Sequence, residues 1–129
     1  MSGIKKILVV DDTPVIRRLL CDVLESEGYE IEEAIDGVEA LEKIRASKFD
    51  LVFCDIHMPR KNGFDTYIAA REIDPSLDFI MTDSFPDKLA EKTNEMGAIC
   101  CLAKPFELDE LRKTLKQAEQ LKKSKCPTK

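Results

Sequence analysis

Leu51-Val52-Phe53-Cys54-Asp55, continuing as Ile56-His57-Met58-Pro59, decides how the rest of the chain is read. Four consecutive apolar residues, rich in strand formers, predict a strand buried on both faces. The run stops at a carboxylate, and Pro59 shows that the chain has left regular structure. An acid at the carboxyl end of a buried strand stands where open α/β sheets bind their ligands. Asp55 is thereby the first candidate for chemistry.

Toward the N-terminus, Ile7-Leu8-Val9-Val10 is a second such run, and it too ends on acids, Asp11 and Asp12. Thr13-Pro14 predicts a helix N-cap with proline at the first helical position. That helix is expected to bury Val15, Ile16, Leu19, Leu20, Val23 and Leu24 on one stripe. Arg17, Arg18 and Glu25 fall outside the stripe, and Gly28 is the natural stop. Residues 29–34 mix Tyr29, Ile31 and Ala34 with three glutamates, as suits an edge strand. Asp36-Gly37 reads as turn and cap, and Val38, Leu41 and Ile44 as the inner face of a second helix to about Ser47.

Toward the C-terminus, Arg60-Lys61-Asn62-Gly63 is a loop feeding a third helix with Phe64, Tyr67, Ile68 and Arg71, closed by Pro75. Phe79-Ile80-Met81 is a short strand ending at Thr82. A fourth helix is expected over residues 86–96, ended by Gly97. Ile99-Cys100-Cys101-Leu102-Ala103 is a fifth strand running into Lys104-Pro105. The last helix starts near Glu107 and places Leu108, Leu111, Leu115 and Ala118 on one side. Strand and helix alternate five times, which specifies a parallel sheet covered by helices on both faces, a three-layer α/β/α domain. Connections this short predict one domain over residues 1–129, with its core at about 5–120 and a tail over 121–129.

Composition narrows the function. A chain of 129 residues, 43% hydrophobic and 35% charged, can bury a core as one domain. A net charge of -5 argues against sequence-independent nucleic-acid binding, which needs a basic footprint. The one basic cluster, Lys122, Lys123, Lys125 and Lys129, reads as a solvated helix end and tail. No stretch has the pattern of a membrane span or signal peptide, so the expected compartment is the cytoplasm. Five cysteines without framework spacing do not suggest a disulfide scaffold. Cys54, Cys100 and Cys101 sit in apolar runs as small hydrophobes, and Cys126 is the thiol expected at the surface. Cys54 and His57 form a C-x-x-H, but no second pair accompanies it to complete a zinc site.

Parallel strands put their carboxyl ends on one rim, which collects Asp11, Asp12, Asp55, Thr82 and Lys104. Each alone is an ordinary loop residue; their convergence through one topology is the signal. Two like charges about 4 Å apart repel by about 4 kcal/mol at an effective dielectric near 20. Either some of these acids protonate or a divalent cation sits among them, and hard oxygen donors with room for water suit Mg²⁺. A cation on one side and Lys104 on the other would neutralise an incoming phosphoryl group, with Thr82 hydrogen-bonded to one of its oxygens. Asp55 is then the nucleophile and an aspartyl phosphate the product.

These motifs, taken in order, resemble the receiver domain of two-component response regulators over residues 5–120. The resemblance is carried by Asp11-Asp12, by Asp55-x-x-Met58-Pro59 with Gly63, and by Asp36-Gly37 with Ala40-Leu41. Gly97-Ala98 and Lys104-Pro105-Phe106 complete it. It implies a flavodoxin-like sheet in order 2-1-3-4-5 with five helices. It also implies a phosphoryl group taken from a histidine kinase or phosphotransfer protein onto Asp55. The implied Mg²⁺ ligands are Asp12, Asp55 and the main-chain carbonyl of His57, with Asp11 acting partly through water. Thr82 and Lys104 match the residues that bind the phosphoryl group, and Pro105 one that usually follows a cis bond. The implied output is a phosphorylation-dependent surface for a downstream protein, in a domain acting alone, neither an enzyme nor a partner of nucleic acid or membrane. Three positions depart from the pattern: Cys101 replaces the usual aromatic on the fifth strand, Asp83 a small residue, and Lys61 an apolar one. Cys101 and Asp83 are therefore expected to modulate readout and rate. Two other readings remain at this point: a receiver-like binding module that does not use phosphate, and an Mg²⁺-dependent phosphatase of haloacid-dehalogenase type. The latter expects two first-strand acids separated by one residue, whereas Asp11 and Asp12 are adjacent.

Overall fold

The computed structural model describes residues 4–56, 58, 61–83, 100–103 and 107–125, with the backbone alone for 83, 100–103 and 122–125. The helix expected over 86–96, Gly97, His57, Pro59, Cys126 and Lys104-Pro105-Phe106 lie outside the described residues. In chain order the elements are β1 (Lys6–Val10), α1 (Pro14–Ser26), β2 (Glu30–Ala34), α2 (Gly37–Ala46) and β3 (Leu51–Asp55). They continue as α3 (Gly63–Ile73), β4 (Asp78–Asp83), β5 (Cys100–Ala103) and the C-terminal helix α4 (Leu108–Lys125). The strands form one sheet in order β2-β1-β3-β4-β5, every pair parallel. The flavodoxin-like order and the edge position of residues 29–34 thus stand as expected.

Strand alternation sorts the core into two layers. Leu8, Val10, Val52, Cys54, Phe79 and Met81 face α2 and α3, meeting Ala40, Leu41, Ile44, Tyr67 and Ala70. There Tyr67 and Phe79 meet edge to face with centroids 5.0 Å apart. The alternate residues of the same strands, Ile7, Val9, Leu51, Phe53 and Ile80, face α1 and α4 through Leu20, Leu24, Leu111, Leu115 and Ala118. All of β3 is buried, as a central strand covered on both faces requires.

Helix boundaries follow local chemistry. Pro14 opens α1, although Thr13 makes no side-chain cap bond. Gly28, at φ 100°, ends it: the Gly28 N–H donates to Glu25 O at 3.0 Å and the Tyr29 N–H to Leu24 O at 3.3 Å. That bond pair is a Schellman motif, which needs the left-handed conformation glycine adopts without strain. Asp36 caps α2 by accepting from the Glu39 N–H at 3.0 Å, while Glu39 Oε1 accepts from the Ile35 N–H at 2.7 Å. Asn62, read in the sequence only as loop, caps α3 by accepting from the Asp65 N–H at 2.8 Å.

The structure corrects the faces expected for α1 and α4 and defines that of α3. In α1, Val15 and Leu19 are 74% and 51% exposed, and Cys21 joins Leu20 and Leu24 in the core. In α3 the buried positions are Thr66, Tyr67 and Ala70, with Phe64 and Ile68 half-buried. In α4, Leu108 is 47% exposed and Thr114 takes a buried place beside Leu111, Leu115 and Ala118. A stripe of apolar residues is wider than the arc the sheet covers, so periodicity alone does not say which edge of it is left outside. Helix α4 also continues to Lys125, through the first residues of the expected tail. Burial lifts the Cys21 thiol to about 11, in keeping with a cysteine serving as a small core hydrophobe.

Candidate functional site

Register brings the site together. Val10 pairs with Cys54, so Asp11, one residue past β1, comes level with Asp55 at the end of β3. Asp55 pairs in turn with Thr82 of β4, and the Ile56 N–H donates to Thr82 O at 2.9 Å. Asp11, Asp55 and Thr82 are therefore neighbours along the carboxyl rim, and Asp12 follows Asp11 directly. Carboxylate oxygens of Asp11, Asp12 and Asp55 all lie within 4.8 Å of one another. Asp11 and Thr82 are buried, Asp55 is 5% exposed, and Asp12 faces solvent.

Of the other residues singled out from the sequence, the backbone places Cys101 beside Met81 and Asp83 beside Ala103. Lys104 is the next residue in the chain after Ala103; Lys104, His57 and Pro105 themselves lie outside the described residues. Cys54 is fully buried in β3, its Sγ 3.4 Å from the Asp55 carbonyl, and among the described residues the one cluster with metal-ligand spacing is the acid trio.

Three carboxylates this close repel one another, and their converging oxygens suit a hard dication. Hard oxygen donors converge, and the exposed Asp12 leaves water access to complete an octahedral shell of the kind Mg²⁺ keeps. The donor set fits that ion.

The sequence missed the residues that brace this rim. Asp11 Oδ1 accepts from the Thr13 N–H at 2.9 Å, and the Asp11 N–H donates to Ala34 O at 3.2 Å. Arg17 donates to the Asp11 carbonyl at 2.8 Å and to Glu33 Oε1 at 2.9 Å, and Arg18 donates to Glu33 Oε2 at 2.6 Å. On the other face of β2, Glu32 pairs with Lys6 at 2.9 Å and with Lys43 at 3.6 Å. The signal was present in a charged edge strand beside a helix carrying two arginines, but the partners are too far apart in sequence to be matched without the fold.

These pairs make a pH prediction. The Lys6 hydrogen bond holds the Glu32 carboxyl below its ordinary value against the effect of burial. Burial pushes Glu33 up, but the hydrogen bonds and charges of Arg17 and Arg18 outweigh it and hold Glu33 low as well. Carboxyls held low in the folded state bind protons more tightly when unfolded. Their stabilisation is present above the unfolded pKa and is lost as pH falls through the folded value. Denaturant unfolding across the acid range is expected to show stability rising with pH, and Glu33→Gln to flatten that rise.

Comparison with known proteins agrees with the geometry. The family model for the response regulator receiver domain matches residues 7–116. The chain belongs to the receiver domain family. As a receiver domain it is a signalling domain of two-component systems.

Among curated relatives, the receiver is 34% identical over 119 residues to sporulation initiation phosphotransferase F of Bacillus subtilis, spanning 92% of this chain and 96% of that protein. It is 39% identical over 123 residues to the sensor histidine kinase RcsC of Escherichia coli, spanning 92% of this chain but only 13% of that much longer protein. Among solved structures, the response regulator TrrA of Thermotoga maritima, in complex with Mg²⁺ and BeF, matches with a TM-score of 0.80 and 36% identity. That match covers 88% of this receiver and 98% of TrrA. Among the described residues, no helix is long and apolar enough to cross a membrane.

Proposed function

We propose that this receiver accepts a phosphoryl group on Asp55 from a phosphohistidine of a histidine kinase or phosphotransfer protein and signals through a protein surface that responds to the transfer. The observation that carries the reading is the convergence of Asp11, Asp12 and Asp55 within 4.8 Å beside Thr82 at the sheet's carboxyl rim. Asp12, Asp55 and the main-chain carbonyl of His57 would hold Mg²⁺, with Asp11 contributing partly through water. The bound ion would offset negative charge on the acids and on the phosphoryl oxygens.

The remaining steps belong to the chain. Asp55, held rigidly at the end of a buried strand, presents a carboxylate oxygen to phosphorus. A P–O bond forms as the P–N bond to the donor histidine breaks, and the imidazole leaves with the bonding pair, taking a proton from solvent. Thr82 donates its hydroxyl hydrogen to one phosphoryl oxygen, and Lys104 supplies a counter-charge to another. Low exposure of Asp55 and Thr82 limits the access of water and strengthens these interactions. The added group carries a charge near -2, and its ligation by Thr82 and Lys104 biases two pre-existing conformations. Moving such an equilibrium from mostly off to mostly on takes about 5.5 kcal/mol of differential stabilisation. The Bacillus relative that the chain covers almost completely is named a phosphotransferase, which supports a role as carrier in a relay.

The test is mass spectrometry after incubation with acetyl phosphate, with Mg²⁺ or with a chelator. The wild-type chain is expected to gain one phosphoryl mass, mapped to the peptide containing Asp55, with Mg²⁺ only. No gain under either condition would favour a binding module that does not use phosphate.

A further inference from the structure

Asp11 is gripped from a side that phosphoryl chemistry does not use. Arg17, in the first turn of α1, has a side chain only 14% exposed and reaches back across the β1–α1 turn. One arm of its guanidinium, Nη1, donates to the main-chain carbonyl of Asp11 at 2.8 Å. Nε donates to Glu33 at 2.9 Å, so one planar group joins the turn that carries both first-strand acids to the neighbouring strand β2. Glu33 is itself anchored from outside by Arg18 at 2.6 Å. With the Asp11 N–H on Ala34 O and its carboxylate on the Thr13 N–H, the main chain and side chain of this acid are fixed from three directions.

We infer that Arg17, clamped by Glu33, is a positioning residue that presets the turn bearing Asp11 and Asp12 and thereby raises the affinity of the acid cluster for a divalent cation. The inference rests on the reading of that cluster as the Mg²⁺ site. Two effects of Arg17 oppose each other. Its charge, carried on a guanidinium bonded to the Asp11 carbonyl, disfavours a second cation nearby, whereas its tether holds in place, before the ion arrives, the turn that carries two donors. Glu33 lies against the guanidinium but is shared with Arg18, so it offsets only part of that charge, and changes that conserve net charge are needed to isolate the tether. Lysine does not substitute, because a single ammonium lacks the diverging donors of the guanidinium fork.

The experiment therefore uses changes that conserve net charge: Arg17→Lys, and the double variant Arg17→Met with Glu33→Gln. Mg²⁺ affinity is measured by NMR titration of the full chain. Phosphoryl uptake from acetyl phosphate is followed as a function of Mg²⁺, and melting in chelator checks the fold. Both variants are expected to bind Mg²⁺ about five- to tenfold more weakly, the range for losing one good hydrogen bond. The Mg²⁺ concentration for half-maximal uptake should rise by the same factor, with the rate at saturating Mg²⁺ within about twofold of wild type. If the double variant does not fold, Arg17→Lys decides. Variants that bind Mg²⁺ as wild type does overturn the inference, and so does a lower saturating rate at unchanged half-maximal Mg²⁺. A wild-type chain that binds no Mg²⁺ overturns the underlying reading of the cluster, a result distinguishable from either.

Discussion

Asp55→Asn is expected to take up no phosphoryl group from acetyl phosphate and, in the presence of a chelator, to melt at a higher temperature than wild type. Asparagine keeps the size and much of the hydrogen-bonding capacity of aspartate at the end of β3, but its neutral amide oxygen is a far weaker nucleophile. The gain in stability follows from the same geometry. Three carboxylates with oxygens within 4.8 Å repel one another, and neutralising Asp55 relieves two of the three repulsive pairs. Even if screening leaves only about 1 kcal/mol per pair, that relief exceeds what is lost when asparagine keeps most of the hydrogen bonds of Asp55, and Tm is expected to rise by several degrees. Added Mg²⁺ should reverse the ranking. At about 100 times its Kd a ligand specific to the folded state stabilises by about 2.7 kcal/mol, and Asp55→Asn would lose most of that. Mass spectrometry and thermal melts with and without Mg²⁺ check all three statements. A phosphoryl gain in Asp55→Asn would place the nucleophile elsewhere, and a lower melting temperature in chelator would show that the acids are not repelling.

Gly63→Ala is expected to lower Tm by on the order of 10 °C and to slow phosphoryl uptake, although the glycine carries no chemistry. Gly63 begins α3, and its N–H donates to Ile56 O at 2.7 Å, which closes the loop that leaves the Asp55 strand. A Cβ at this position would press on the Asp55 carbonyl oxygen and come within 2.8 Å of Ile56 Cα and 2.9 Å of Met81 Cε. Met81 has a flexible end that can yield, but the other two atoms are backbone of the strand end that presents Asp55. The strain therefore falls on α3 or on the site. Overpacking of this kind costs roughly 1–3 kcal/mol, and the backbone contacts argue for the upper end. Paired melts and uptake rates check it; a variant that melts and reacts as wild type would mean that the α3 terminus shifts freely.

Most of the residues that converge on the rim could be read along the chain. Asp11, Asp12, Asp55 and Thr82 each terminate a short apolar run, and parallel strands must bring such termini to one edge. The braces could not be read in this way. Arg17 and Arg18 were set aside as the outer face of a helix, and Glu33 as an edge-strand charge; in space they are one network gripping Asp11. The helix faces were legible in outline only. In α1 the apolar stripe runs from Val15 to Leu24, yet the sheet covers Leu20, Cys21 and Leu24 and leaves Val15 and Leu19 exposed.

The division has a physical cause. Strand identity, the alternation with helices and the acids at strand ends depend on neighbours within a few residues, so hydrophobic period, caps and turn residues specify them locally. Which arc of a helix is covered depends on how it rolls against a twisted sheet. Whether Arg17 meets Glu33 depends on β2 lying beside β1, as the pairing of Val9 with Glu33 shows. Those outcomes are set by packing among segments distant in sequence, and only the folded chain decides them.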